Sequence, residues 1–201
     1  ESGNHDEVMF VVEDSKIKGV IHIVDYNSDF INYEIFKTIY QFEKNLRTLL
    51  KLKRETNDTL INWMFEAGNE NRHWKNRYKQ CMPEGQMQKD ELIKKRRDCN
   101  PFQTFYMSDL LSFVEYKKFL SDDFNSSIEA IKDIRNWVTH NKDLAHRVEI
   151  DNILLYKIDE LKKFVNQVNQ FFDSFEELDE LIASLKKINS DDKIHSKSKN
   201  H

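Results

Sequence analysis

Glycine and proline are scarce in this chain, four and two among 201 residues. With abundant Lys, Glu, Leu and Ile, that shortage argues against a fold dense in turns and for one that is mostly helix. Cysteine is limited to Cys81 and Cys99, with no companion pair and no metal-ligand spacing. Two reduced thiols in a cytosol therefore fit better than a disulfide framework or a cysteine zinc site. No apolar run approaches the roughly 20 residues of a membrane span, and no signal-peptide pattern opens the sequence. The chain reads as soluble and cytoplasmic, without a membrane partner. An excess of positive charge is also missing. The formal charge of −4 gives no global pull toward nucleic acid, so any such contact has to be local.

What is present concentrates in Asp133-Ile134-Arg135-Asn136-Trp137-Val138-Thr139-His140-Asn141. Ile128, Ile131, Ile134 and Val138 recur at helical spacing, and Ser126 with Glu129 has the form of a capping box, so this stretch is predicted to close one amphipathic helix. Arg135 falls on the edge of the apolar stripe, facing the core or a subunit contact, and there a guanidinium needs an anion. His140 comes five residues later and on an ideal helix points about 140° away. Either the helix ends between them or a second copy of the chain completes the pair. Asn141 suits the left-handed residue that ends a helix, leaving His140 in the last turn, where the dipole favours an imidazolium. Imidazole is the side chain that moves protons near neutral pH, so Arg135, Asn136 and His140 are the candidate catalytic residues.

Along the rest of the chain, Val8–Val12 and Ile17–Val24 are rich in β-branched residues around the turn-like Glu13-Asp14-Ser15-Lys16, which predicts an N-terminal β-hairpin within residues 1–30. From Asn32, the spacing of Ile35, Ile39, Phe42, Leu46 and Leu49 is helical, and Glu43 with Arg47 forms an i,i+4 pair. Asp58 is placed to cap a second helix that Gly68-Asn69 interrupts. In Arg72-His73-Trp74-Lys75-Asn76-Arg77-Tyr78, cations alternate with rings, as phosphate contact plus base stacking requires; the rival is a polar helix with two buried rings. Pro83-Glu84-Gly85 ends that element. Arg72, Lys75 and Arg77, with Lys142 and Arg147 after the motif, are the candidate RNA-binding residues, and Lys94-Lys95-Arg96-Arg97 is a further basic cluster. A helix through Leu110, Leu111, Phe113 and Val114 follows a break at Asn100-Pro101, and His146 is read as a loop residue. Leu154, Ile158, Leu161, Val165, Val168, Phe172 and Phe175 hold a four-three repeat that predicts helix from about 151 to 187. It either splits at a second capping box, Ser174 with Glu177, or invites a partner helix. Residues 189–201 are polar and read as a disordered tail.

Arg135-Asn136, three further residues and His140 resemble the Arg-x4-6-His motif of HEPN domains. The early helix with Tyr40, Glu43, Leu46 and Arg47, the stretch Asp109-Leu110-Leu111, and a helix after the motif follow that superfamily's order. The resemblance implies a mainly α, antiparallel helical bundle over residues 31–188. It also implies a metal-independent endoribonuclease of single-stranded RNA, of the kind found in toxin and antiviral systems, with a composite site at a homodimer interface. No metal and no cofactor are implied. Some HEPN toxins are modified on a Tyr two residues after the His; Lys142 stands there, so that modification is not implied. Residues Val11–Asp25 resemble the closing strands of a CBS domain, with His22 where a hydroxyl residue often holds a nucleotide. A nucleotide regulator is thereby implied through a CBS-like region of which only about half is present; the rival is that this remnant is a structural cap or a truncated regulatory module that binds no ligand here.

Two rival readings follow from the same residues. One is a non-catalytic HEPN-like module that binds nucleotide or RNA, or that dimerises. The other is a structural bundle built on the last helix, in which Arg135 forms a buried ion pair whose loss would cost several kcal/mol.

Overall fold

The computed structural model describes residues 8–82, 91, 94, 101–140, 142–144, 146–150, 152–157 and 159–198. The predicted features at 1–6, Pro83-Glu84-Gly85, Lys95-Arg96-Arg97, Cys99, Asn100 and Asn141 lie outside these residues. The described chain is mainly helical, with a short antiparallel hairpin near its N-terminus.

That hairpin pairs β1 (Val8–Glu13) with β2 (Lys16–His22). Asp14 at φ 50° and Ser15 at φ 61° form the two-residue turn, a left-handed pair that matches the natural twist of the strands. Val11 faces Gly19 whereas Val12 faces Ile17, so Lys18 is the extra residue of a bulge. A 3-10 turn at Ile23–Asn27 leads into α1 (Asp29–Leu52). There follow α2 (Asn57–Ala67), α3 (Arg72–Cys81), α4 (Pro101–Thr104), α5 (Met107–Lys117), α6 (Asp122–Ser126) and α7 (Ile128–Thr139). Then come β3 (His146–Ile150), β4 (Ile153–Lys157) and α8 (Asp159–Ser198).

The chain forms two compact units: residues 1–41 with 126–174, and residues 42–125 with 175–201. The two longest helices, α1 and α8, each contribute a part to each unit. In the first unit Ile39 of α1, Ile131, Ile134 and Val138 of α7, and Phe164 and Phe171 of α8 are buried. In the second, Phe42, Leu46 and Leu49 of α1 are buried with Leu60, Trp63 and Trp74, and with Leu110 and Phe113 of α5. Trp63 is the hub, 4.3 Å from Trp74 and 5.2 Å from Phe113 by ring centroids.

Several local readings are changed or decided. Residues 153–157 are strand, not the first turn of a long helix, because Ile150↔Ile153 to His146↔Lys157 pair across a turn in which Asn152 takes φ 62°. A four-three repeat read along one segment cannot register a partner on the segment before it. His146 accordingly opens a strand rather than sitting in a loop. α8 then runs unbroken through Ser174, whose hydroxyl donates to Gln170 O inside the helix instead of capping a new one. It continues through Ser198, across the polar stretch read as a tail, where neither Gly nor Pro interrupts it. At α2 the cap is Thr56, not Asp58: Thr56 and Thr59 close a reciprocal capping box.

Candidate functional site

The motif helix α7 buries Ile128, Ile131, Ile134 and Val138 and leaves the other face to solvent. It starts without the predicted Ser126–Glu129 box. Ser126 belongs to α6, Ser127 is the N-cap with helical backbone and no side-chain cap bond, and Glu129 instead pairs with Lys132 at 2.6 Å. The anchor to the rest of the unit is Asp133, whose Oδ2 accepts from Gln167 Nε2 at 2.7 Å and from Lys163 Nζ at 3.1 Å on α8. Those bonds, Gln167 before Lys163, hold the Asp133 carboxyl below its usual range.

Arg135 is exposed, which corrects one arm of the expectation that it faces the core or a subunit contact: it does not face the core. The buried stripe is filled by apolar side chains, and the long Arg stem carries its head past them into water. Its guanidinium donates to Asn136 Oδ1 at 3.3 Å, and among the described residues no acid pairs with it. A buried ion pair at Arg135 is thus excluded within the described chain. Asn136, Thr139 and His140 are exposed alongside. Thr139 Oγ1 donates to Arg135 O at 2.8 Å, tightening the last turn. His140 is the C-cap at φ −101° and ψ 3°, outside the helical region, and its N–H still donates to Asn136 O at 3.2 Å. With the helix running through Thr139 and the His140 N–H still bonded four residues back, the divergence of the Arg135 and His140 directions persists within one copy.

Lys142 is exposed, its ammonium 5.2 Å from the centroid of the Trp137 ring, which itself packs edge-on against Phe164. Arg135, His140 and Lys142 thus lie within eight residues at one helix end, a local concentration of basic groups in a chain of net negative charge. Arg147 lies in β3, and its side chain is outside what the structure describes.

The second basic segment separates into two kinds of residue. Arg72 and Lys75 are exposed and line an open cavity of about 430 Å³ with Asn71, Asn76 and Lys79 at the α2–α3 corner. Gly68 permits that corner, since a Cβ there would stand 2.9 Å from Met64 O and 3.1 Å from the Lys75 backbone. Arg77 is different and is not a free phosphate ligand. It pairs with Asp109, which is only 2% exposed, donates to Thr104 O at 3.1 Å, and lies 5.2 Å from the Tyr106 ring centroid. Asp109 also accepts from the Tyr106 N–H at 3.0 Å and approaches His73 Nε2 at 3.3 Å, so this acid organises the start of α5. Trp74 is buried against Trp63, so it is core and closed to base stacking, whereas Tyr78 is half-buried beside the exposed Phe65.

Sequence reasoning missed a second cavity, of about 610 Å³, lined by Arg47, Lys51, Glu55, Asn57, Phe102 and Gln103. The Glu43–Arg47 pair it did find is real, at 2.6 Å, and Arg47 also donates to Phe102 O and Phe105 O. One signal pointed to this place: Lys53-Arg54-Glu55-Thr56 joins two helices without glycine, and Arg54 takes φ 60° to make the turn.

Among the described residues no three His, Cys, Asp or Glu side chains converge as metal ligands do, and no helix is long and apolar enough to cross a membrane. Comparison of the chain with family models, with curated proteins and with solved structures gives no match.

Proposed function

We propose that the chain is an endoribonuclease of single-stranded RNA that uses a composite Arg135/His140 site in a homodimer. The observation that carries this reading is the state of Arg135: exposed, beside Asn136 and five residues before His140 at the same helix end, with no acid neutralising it among the described residues. A fixed cation and an imidazole are the two groups that cleavage by the RNA's own 2′-hydroxyl requires. His140 removes the 2′-hydroxyl proton as the oxygen attacks the adjacent phosphorus, and the imidazolium so formed returns a proton to the leaving 5′-oxygen. Arg135 offsets the charge that develops on the phosphoryl oxygens, and Asn136 holds the guanidinium or donates to the phosphate. The products are a 2′,3′-cyclic phosphate and a 5′-hydroxyl, so no water enters the bond-breaking step.

Two further features support the reading. Phe30, Tyr33, Phe36 and Tyr40 lie along one face of α1 and are all exposed, Phe30 at 70% and Tyr40 at 67%. Contiguous exposed aromatic surface marks an interaction site, and a second copy is the partner that the divergent Arg135 and His140 require. Arg72, Lys75 and Lys142 supply exposed cations for the RNA backbone. The resemblance to HEPN domains supports the same chemistry, and a cytoplasmic place of action in a toxin or antiviral system accompanies it. The hairpin's resemblance to a CBS domain adds a nucleotide as regulator.

Complementation tests the reading. Arg135→Ala and His140→Ala are each expected to be inactive. Mixed and allowed to exchange subunits, they regain roughly a quarter of wild-type cleavage, because half the dimers are mixed and each holds one intact composite site. Full activity in either variant alone, or products lacking the cyclic phosphate, rules the mechanism out. RNA binding without turnover in the wild type favours a non-catalytic binding module instead.

A further inference from the structure

The cavity at the junction of α1, α2 and α4 belongs to the second unit, away in sequence from the motif helix, and its polar groups are not balanced. α1 ends in a Schellman turn: Arg54 at φ 60° donates its N–H to Lys51 O at 3.0 Å, and Glu55 donates its N–H to Leu50 O at 2.9 Å. A left-handed residue without glycine is a strained choice at this position. Its consequence is to turn Glu55 inward immediately before the Thr56 cap of α2. The Glu55 side chain is only 9% exposed. Oε1 pairs with Lys117 Nζ at 3.1 Å, while Oε2 is buried with no hydrogen-bond donor. Asn57 Oδ1, on the first turn of α2, is likewise buried without a donor. Both residues line the cavity, and both end in a broad terminal torsion, the one movement an occupant would require to draw these oxygens into hydrogen bonds.

The remaining lining sets what fits. Arg47 is already satisfied by Glu43 and by two backbone carbonyls. Lys51, one turn along the same face, is exposed and has no ion-pair partner among the described residues. Phe102 contributes aromatic surface. The volume of about 610 Å³ is in the range of sites for small molecules. An occupant therefore offers N–H donors to two unsatisfied oxygens, one of them anionic, a flat ring beside Phe102, and an anion for Lys51.

We propose that this cavity binds the guanine base of a guanosine 5′-phosphate. Among the common bases, guanine alone carries a ring N–H and an amino group side by side on one edge, a row of donors that matches acceptors. Adenine and cytosine place a ring-nitrogen acceptor next to their amino group, where it meets the carboxylate unfavourably. Uracil flanks its single N–H with two carbonyls. The site does not involve Arg135 or His140, and it holds whether or not those residues cleave RNA.

Calorimetric titration of the full chain with guanosine 5′-monophosphate and adenosine 5′-monophosphate reads the proposal directly. Guanine is expected to bind at least ten times more tightly. A 2′-O-methyl uridine tract carrying one guanosine, compared with the same tract carrying one adenosine, distinguishes a nucleotide in RNA from a free one, since such a tract cannot be cleaved by its own 2′-hydroxyl. Selectivity for guanine in either format supports the site; selectivity in neither overturns it. Glu55→Gln, which keeps the shape and replaces the anionic acceptor, is expected to lower guanine affinity at least tenfold. If Glu55→Gln is poorly folded, Lys51→Ala serves: it weakens the monophosphate but leaves guanosine unchanged. Equal loss for both ligands, or for neither, overturns the assignment.

Discussion

Gln167 Nε2 donates to Asp133 Oδ2 across 2.7 Å, joining the long C-terminal helix to the motif helix two residues before Arg135. Residues two apart on a helix do not face each other, so the acid nearest in sequence to Arg135 is committed elsewhere and the guanidinium is left in water. The same bond, with that from Lys163, keeps the Asp133 carboxyl below its usual range. A carboxyl held low in the folded state adds stability above its unfolded pKa of about 3.9, and that stability is lost as pH falls through this value and below it. Asp133 is 41% exposed, so the contribution is screened to about 0.5 kcal/mol. Thermal unfolding from about pH 6 to about pH 3 is expected to fall less steeply in Asp133→Asn than in the wild type. Superimposable pH profiles would show that the bond has no energetic role.

The proposed site separates what Arg135 does for stability from what it does in chemistry. As an exposed side chain without an ion pair, Arg135→Ala is expected to change folding free energy by no more than about 0.5 kcal/mol. RNA cleavage is expected to fall at least ~100-fold. Urea unfolding and an end-labelled RNA assay measure the two. A loss of several kcal/mol would return Arg135 to a structural role.

Arg77 and Lys75, two residues apart on α3, are expected to behave oppositely. Arg77→Ala removes the partner of an almost fully buried carboxylate and is expected to cost about 3 kcal/mol. Lys75→Ala is expected to leave stability within about 0.5 kcal/mol while weakening RNA binding and flattening its dependence on salt. Urea midpoints and filter binding across a salt series separate the two. Equal destabilisation by both changes would contradict the division of this helix into a structural and an RNA-facing cation.

The aromatic face of α1 gives the assembly prediction. Phe36→Asp with Tyr40→Asp is expected to yield a folded monomer in sedimentation, with the helical circular dichroism of the wild type and no cleavage. A variant that stays dimeric and active places the interface elsewhere.

Tyr116 donates to Glu66 Oε2 at 2.9 Å, and that bond, reinforced by the carboxylate's charge, raises the phenol above its usual value of 10.0. In an ultraviolet pH titration, Glu66→Gln is expected to move one tyrosine back down. An unchanged titration curve would mean that the pair does not persist in solution.

Much of the architecture could be read along the chain, because helices and tight hairpins are local. The β-branched runs around Glu13-Asp14-Ser15-Lys16, the apolar spacing of Ile39, Phe42, Leu46 and Leu49, and the stop at Gly68 all appear where their patterns put them. The Glu43–Arg47 pair was legible for the same reason, being one helical turn long. Whatever depended on a distant segment was not. The strand at 153–157 exists through its pairing with 146–150, and the Asp109 that ties down Arg77 lies 32 residues away.

By itself, then, the sequence determined a mainly helical chain with an N-terminal hairpin and an Arg, an Asn and a His gathered at one helix end, since periodicity and turn chemistry act over a few residues. Tertiary structure alone decided which charges are spent and which are free: Arg77 is held by Asp109 and Asp133 by Gln167, while Arg135 and Lys51 are left to solvent and Glu55 is buried half-satisfied. The reason is physical. The state of a charge depends on burial and on partners brought from elsewhere in the chain, and neither is recorded in the residues beside it.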